Sequence, residues 1–335
     1  MDFYKIKERS IKKGVVEIYP DFAVDRTKDL MVRGNAFYAI WDEKAGMWSK
    51  DEYDVARLAD EELFAYYQKC KQRNSDIEYH LKTFGDYSSG CWNQFKKYLK
   101  QLADNYSTLD TKVTFMNTEV SKKDHVSKRV PYSIQEGNYD SYDELISALY
   151  SDEEKQKIEW ARGAILTGDA KHIQKFIVFY GEGGTGKSTM LNIIQKLFQG
   201  YYITFDAKEL TVANNAYTSG ALFVNDPLVA IQHDGDLSGI KDNSKLNSIV
   251  AHEEILVNEK FKAQYTARSN CFLFMGTNKP VKITDGKSGI IRRLIDVHPT
   301  GNKIPAGRYN DLMAKIDFEL GAIAYHCKEM YLNLG

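Results

Sequence analysis

The sequence predicts an α/β fold: a core with a mostly parallel sheet, preceded by a smaller α-rich N-terminal module. Three observations lead to this prediction. A glycine-rich segment at residues 181–188 joins the apolar run 176–180, a predicted strand, to a helical stretch. After it, short apolar runs alternate with helical stretches, as is typical of strands buried on both faces of a sheet. These predicted strands are 201–205, 221–224, 271–275 and 294–297. Before it, helical spacing of apolar residues recurs at 51–72 and 89–105.

Composition and charge are those of an ordinary soluble globular protein. The chain has 335 residues, of which 43% are hydrophobic and 27% charged, and its net charge is −1. No run of about 18 apolar residues occurs, so we expect no membrane partner. The 4 cysteines are scattered without a C-x-x-C pair, which predicts buried thiols in a reducing compartment. Any contact with nucleic acid must come from a local cluster of Lys and Arg.

The chain divides into three predicted parts. Residues 1–110 form the N-terminal module, in which Trp41 and Trp48 flank a turn between two short strands. Residues 111–150 are polar and irregular at first and are expected to be a linker or boundary. Residues 151–335 form the α/β core, and a helical stretch predicted from Ser141 to Thr167 leads into it.

The glycine-rich segment has the pattern G-x-x-x-x-G-K-S of a phosphate-binding P-loop. Glycines let the backbone approach phosphates closely, and successive N–H groups can then point at phosphate oxygens. Lys187 can reach the β- and γ-phosphates of a nucleoside triphosphate, and the Ser188 hydroxyl can ligate Mg²⁺. The expected nucleotide contacts are Gly181, Gly183, Gly184, Thr185, Gly186, Lys187, Ser188 and Thr189.

Hydrolysis also needs a carboxylate at the end of a neighbouring strand. The apolar run 221–224 is followed by Asn225, Asp226 and Pro227, so Asp226 is the expected second ligand of Mg²⁺. The alternative for Asp226 is an ordinary acid in a turn after a strand. Many P-loop ATPases carry a second acid at the position of Asn225. The identity of the residue that polarises the attacking water is therefore left open.

Polar residues near the last two predicted strands, 271–275 and 294–297, complete the expected site. Asn278 can hold the attacking water, although an Asn shortly before a proline is also common in turns. Arg292 and Arg293 follow a glycine-bearing loop and suit an arginine finger donated to the γ-phosphate of a neighbouring subunit. The alternative is a salt-bridged surface pair.

A predicted hairpin precedes the Asn278 strand. Residues 255–257 and 264–266 can pair as strands, with Lys260, Phe261 and Lys262 near the tip. Two lysines around an aromatic ring match the needs of single-stranded DNA, namely charge for phosphate and a ring for stacking. A solvated hairpin tip explains the same residues equally well.

In this order the motifs resemble those of superfamily 3 helicases, a branch of the AAA+ ATPases, and most of all the primase–helicase NTPases of phages and poxviruses. The resemblance runs from about Phe115 to the C-terminus. The segments that match are the Walker A loop Gly181–Ser188, the Walker B strand Leu222–Asp226, the B′ motif Lys245–Lys262, motif C Cys271–Pro280 with its sensor Asn278, the finger segment Ile290–Leu294, and the closing helix Glu319–Ile323. Arg293 matches the family's arginine best and Arg292 second best.

The resemblance implies an ATP- and Mg²⁺-dependent replicative DNA helicase of a phage or integrated element, working in the cytoplasm of a bacterial host. It implies a homohexameric ring that translocates 3′ to 5′ on single-stranded or forked DNA. The chain has no recognisable primase module and leaves little room for a C-terminal DNA-binding domain, so a separate primase or polymerase is an expected partner. The alternatives are a non-unwinding AAA+ ATPase, such as a loader, packaging or switch protein, and a P-loop kinase.

Overall fold

The computed structural model describes residues 1–110, 112–206, 226–235, 244–257, 265–279 and 289–334. The chain folds into two compact units. Unit 1 comprises Met1–Thr111 and Glu119–Arg129, and unit 2 comprises Lys112–Thr118 and Val130–Gly335. The predicted boundary segment 111–150 is therefore divided between them. No helix in the described ranges is long and apolar enough to cross a bilayer.

Unit 1 is an α+β structure rather than an α-rich module. Its described strands form two three-stranded sheets, with the orders β1-β2-β6 and β3-β4-β5. Its elements are β1 Lys5–Lys12, β2 Val15–Asp21, β3 Leu30–Arg33, β4 Ala36–Asp42, β5 Met47–Ser49, α1 Tyr53–Arg73, β6 Glu78–Leu81 and α2 Cys91–Leu99. Strand β1 was not predicted from the sequence. Nearly all of its residues are exposed, so its sequence shows no alternation of apolar and polar residues.

The predicted tryptophan hairpin is confirmed. Trp41 of β4 pairs with Trp48 of β5, and the centroids of the two rings lie 5.7 Å apart at an interplanar angle of 62°. The turn is fixed by Asp42, whose Oδ1 accepts hydrogen bonds from the backbone N–H groups of Lys44 and Ala45, each at 3.0 Å. Both tryptophans are buried and belong to the core of unit 1.

Unit 2 is built on a five-stranded parallel sheet with the strand order β13-β7-β12-β9-β8. These strands are β7 Phe176–Tyr180, β8 Tyr202–Thr204, β9 Val229–Gln232, β12 Phe272–Thr277 and β13 Leu294–Val297. The predictions at 176–180, 201–205, 271–275 and 294–297 are confirmed, whereas β9 was not predicted. The predicted strand 221–224 lies outside the described residues.

Helices cover both faces of this sheet. Ile177 and Phe179 of β7 pack in one core cluster with α3 Asp140–Leu149, α4 Asp152–Thr167, α5 Lys187–Leu197 and α7 Ala306–Leu334. The alternate residues of β7, Phe176 and Val178, pack in another cluster with α6 Ser244–Val250. Because successive side chains of a strand point to opposite faces, this division explains the near-continuous apolar sequence of β7.

The helical stretch predicted from 141 to 167 consists of two helices. Helix α3 ends at Leu149, and Ser151 then takes an extended conformation and begins α4 by accepting a hydrogen bond from the Glu154 N–H at 3.4 Å. Acidic residues fill the first turn of α4, where they interact favourably with the helix dipole. The break between the helices puts the end of α3 beside the glycine-rich loop, since Leu149 lies next to Gly186.

Candidate nucleotide-binding site

The glycine-rich loop joins the carboxyl end of β7 to the first residue of α5, Lys187. Gly184 and Gly186 have φ angles of 77° and 97°, which side chains with a Cβ rarely adopt. The backbone N–H groups of the first turn of α5 have no acceptors within the helix. Together with the loop, such N–H groups are the donors that a helix N-terminus can offer to an anion.

Lys187 is held inside this loop. It is only 9% exposed, and its Nζ donates to the carbonyl oxygens of Gly181 at 2.6 Å and Glu182 at 2.7 Å. Burial lowers the pKa of the Lys187 amine, and the negative charge of Asp234 opposes that shift. The amine thus lies where it can exchange these carbonyls for the oxygens of a bound phosphate.

Two neighbouring strands end beside the loop. The Gly181 N–H donates to the Thr277 carbonyl at 3.1 Å, and the Gly235 N–H donates to the Gly276 carbonyl at 2.8 Å. Asp234 follows β9 and Asn278 follows β12, so both come at the edge of the sheet from which the loop starts. Both residues are exposed at this edge. The structure therefore brings Asn278 to the loop, as predicted.

Asp226 is not brought to the loop. It comes three residues before β9, where the Leu228 N–H donates to the Tyr201 carbonyl at 2.8 Å and the Phe272 N–H donates to the Leu228 carbonyl at 2.9 Å. This is the amino edge of the sheet, opposite the loop. The sequence predicts Asp226 as the acid at the end of a strand, whereas the aspartate at the loop edge is Asp234, which follows the apolar run 228–231 and was not predicted.

The two arginines have different surroundings. Arg293 is buried, and its Nη1 donates to the Gly289 carbonyl at 3.2 Å and to Asn247 Oδ1 at 3.3 Å. Burial lowers the pKa of Arg293, with the charge of Arg292 as a second cause. Arg292 is exposed. The Arg293 side chain, which the sequence favours as the residue that reaches a neighbouring subunit, makes these contacts within its own chain.

The arginines also lie far from the glycine-rich loop of their own chain. The Phe176 N–H, at the start of β7, donates to the Arg293 carbonyl at 3.0 Å. The loop begins at the other end of β7, which is 5 residues long and so spans about 17 Å. Arg292 and Arg293 are therefore at the amino edge of the sheet, the same edge as Asp226.

The predicted hairpin is confirmed as far as the structure describes it. Strand β10 Glu254–Val257 pairs antiparallel with β11 Tyr265–Arg268. The predicted DNA contacts Lys260, Phe261 and Lys262 belong to the connection between these strands and lie outside the described residues.

The residues at the loop fit a nucleotide with Mg²⁺. The fit rests on the glycine backbone, the buried Lys187 amine, the exposed Ser188 next to it and the carboxylate of Asp234. Hydroxyl and carboxylate oxygens are the ligands that Mg²⁺ prefers, and it usually keeps several waters and phosphate oxygens in its shell. Within the described ranges, no three His, Cys, Asp or Glu side chains gather as a metal site of their own. A metal ion held by Ser188 and Asp234 would complete its shell with phosphate oxygens and waters.

Comparison with known proteins gives a match to the model of a family of unknown function, DUF5906, over residues 179–293. Among solved structures, the chain is similar to an A-form apo structure of the NrS-1 C-terminal region, with 14% identity, a TM-score of 0.46, and coverage of 57% of this chain and 47% of that one. A further apo structure of the same region matches with 13% identity and a TM-score of 0.46, covering 60% of this chain and 53% of that one. The chain thus spans about half the length of these structures.

Proposed function

We propose that this protein is an ATP-dependent DNA helicase that serves DNA replication of a phage or integrated element, with an AAA+ core that assembles as a homohexamer. The observation that carries the proposal is the buried Lys187 amine inside a glycine loop, beside the ends of β9 and β12. Burial on both faces makes the parallel sheet a rigid support for these groups. The order of the sequence motifs supports the finer assignment to superfamily 3.

In this proposal the groups at the loop divide the work of ATP hydrolysis. Lys187 and the backbone N–H groups of the loop bind the phosphates and stabilise the charge that develops on them. Ser188 and Asp234 would hold Mg²⁺, which neutralises the phosphate oxygens. Asn278, at the end of the adjacent strand, orients the attacking water. Asp234 replaces Asp226 in this scheme because it follows a strand rather than preceding one.

In this proposal, Arg292 of one subunit acts on the nucleotide bound to the next subunit. Arg292 is separated from its own loop by the length of β7, so it can contact a γ-phosphate only in a neighbouring copy. Its exposure at the amino edge of the sheet favours it over the buried Arg293. An arginine supplied in this way stabilises transition-state charge and makes hydrolysis depend on assembly.

The nucleic acid along which the ring is proposed to translocate is single-stranded or forked DNA. The hairpin of β10 and β11 would carry Lys260, Phe261 and Lys262 into the channel of the ring, and movement of the hairpin on hydrolysis would drive translocation in the 3′ to 5′ direction. Lysines supply phosphate contacts without sequence preference, and an aromatic ring supplies base stacking. The expected partner is a separate primase or polymerase.

The test measures Mg²⁺-dependent ATP hydrolysis with and without single-stranded DNA, together with unwinding of a 3′-tailed duplex. Wild type should hydrolyse ATP, respond to DNA and unwind, whereas Lys187→Ala should do none of these. The matched control is Lys171→Ala, because Lys171 is exposed in the same unit and outside the loop. Hydrolysis without unwinding would indicate a loader or switch protein, and transfer of phosphate to an acceptor would indicate a kinase.

A further inference from the structure

The segment between β13 and α7, together with the first turn of α7, runs along the glycine-rich loop. An ideal Cβ on Gly181, at the start of the loop, would lie 3.3 Å from Pro299 Cδ. At the other end, the Tyr309 hydroxyl lies 3.4 Å from Thr189 Oγ1 in the first turn of α5. Residues 299–309, called the flanking segment below, therefore follow the loop from its first glycine to the helix behind it.

The flanking segment is fixed by the end of α3. The Thr300 N–H donates to the Leu149 carbonyl at 2.8 Å, and the Thr300 hydroxyl donates to the Ala148 carbonyl at 3.1 Å. The Asn302 side-chain amide also donates to the Ala148 carbonyl at 3.1 Å. The last carbonyls of a helix have no partners within it, and here they anchor the flanking segment. A wall anchored in this way needs little reorganisation when a ligand binds.

The flanking segment and the loop enclose a pocket of about 270 Å³. Its described lining combines the apolar side chains of Leu149, Ile304 and Tyr309 with polar groups from the loop, the start of α5 and the flanking segment, namely Gly184, Gly186, Lys187, Ser188, Thr189 and Lys303. Ile304 and Tyr309 are half-buried, so each still presents surface to a ligand. The larger part of this lining is polar, which suits the phosphate end of a nucleotide, and the three apolar side chains offer a smaller patch for a flat base.

We infer that this pocket receives the nucleoside of the bound nucleotide and that Tyr309 is the residue against which its base packs. The inference rests on the proposed binding of a nucleoside triphosphate to the loop. Phosphates held at the loop and the first turn of α5 leave the nucleoside next to Thr189, where Tyr309 stands. The flat base then meets an aromatic ring, with Ile304 and Leu149 completing the apolar wall.

The experiment separates nucleoside from phosphate by comparing ADP with inorganic triphosphate in calorimetric titrations of the full chain. Tyr309→Ala should weaken ADP binding on the order of tenfold because it removes base packing. The same variant should bind inorganic triphosphate as wild type does. Tyr309→Phe should bind ADP within about threefold of wild type, because the ring is kept and only a weak hydroxyl contact is lost. Tyr331→Ala is the matched control, since Tyr331 lies on α7 outside the pocket lining.

Three results would overturn the inference. The first is ADP affinity unchanged in Tyr309→Ala. The second is an equal loss for ADP and inorganic triphosphate, which would mean that Tyr309 only supports the loop. The third is an equal loss in Tyr331→Ala, which would indicate general damage to α7. Failure of the proposed function looks different: wild type would then bind neither ligand, or Lys187→Ala would bind both as wild type does.

Discussion

A pair of glycine substitutions tests whether the end of α3 supports the nucleotide loop. Gly184 and Gly186 both have positive φ angles, so an alanine at either position adopts an unfavourable backbone conformation. Only Gly186 also lacks space, because an added Cβ would lie 2.8 Å from Leu149 Cδ1 and 3.1 Å from Leu149 Cδ2. Around Gly184, no described atom beyond the two chain neighbours lies within 4 Å of that position.

The two costs give different expected losses of stability. The left-handed conformation costs an alanine roughly 1–2 kcal/mol. Overpacking against Leu149 adds about 1–3 kcal/mol, because Leu149 is itself buried. Gly184→Ala should therefore lower the free energy of unfolding of unit 2 by roughly 1–2 kcal/mol, and Gly186→Ala by roughly 2–5 kcal/mol. For a domain of this size each kcal/mol shifts Tm by about 2–4 °C.

Scanning calorimetry of the full chain measures both losses, and Leu149→Ala isolates the contact. In a Leu149→Ala background, Gly186→Ala should lose only about 1–2 kcal/mol, since the clashing methyl groups are gone and the backbone term remains. Gly184→Ala should be unaffected by the second substitution. Equal losses for the two glycine variants, or no coupling between Gly186 and Leu149, would refute the contact between α3 and the loop.

The remaining predictions concern catalysis. Asp234→Asn should reduce Mg²⁺-dependent ATP turnover about 10²- to 10³-fold because it removes a carboxylate from the metal and phosphate site. Asp226→Asn should keep turnover within about threefold of wild type. The opposite order in ATPase assays would return the role of the acid to Asp226. Arg292→Ala should keep ADP affinity and lose turnover. Rings that contain both Arg292→Ala and Lys187→Ala subunits should regain part of the ATPase activity. No recovery in rings shown to be mixed would exclude a site shared between subunits. EDTA should abolish hydrolysis and added Mg²⁺ restore it; turnover that persists in EDTA would contradict the metal role.

The central strands and the loop could be predicted from sequence because their signals are local. Buried parallel strands such as β7 and β12 are apolar throughout, and the glycine pattern at 181–188 reflects a backbone conformation that few other residues tolerate. Strand β1 gave no such signal, since it is exposed along nearly its whole length and is held by pairing with β2. Strands could therefore be predicted where their burial produces an apolar sequence pattern.

The acid beside the loop could not be assigned from sequence because two segments have the same local pattern. Residues 221–224 and 228–231 are both short apolar runs, and each is followed within three residues by an aspartate. The choice depends on which segment pairs with β12. The structure pairs Phe272 with Val229 and Met275 with Gln232, which brings Asp234 to the carboxyl edge. Such pairing is a long-range property, so no window of sequence around Asp226 or Asp234 contains it.

The arginine pair is a second case in which local sequence cannot distinguish two residues, because only their tertiary contacts differ. Arg292 and Arg293 precede the same strand, but Arg293 turns inward to Asn247 of α6, 46 positions away, and its Nε is buried without a hydrogen-bond partner among the described atoms. Moving Arg293 out to a neighbouring subunit would restore hydration that its few neutral acceptors replace only in part. It would, however, break the contacts with α6 and Gly289. Arg292 can extend without that loss, and this difference is why we propose Arg292 for the intersubunit contact.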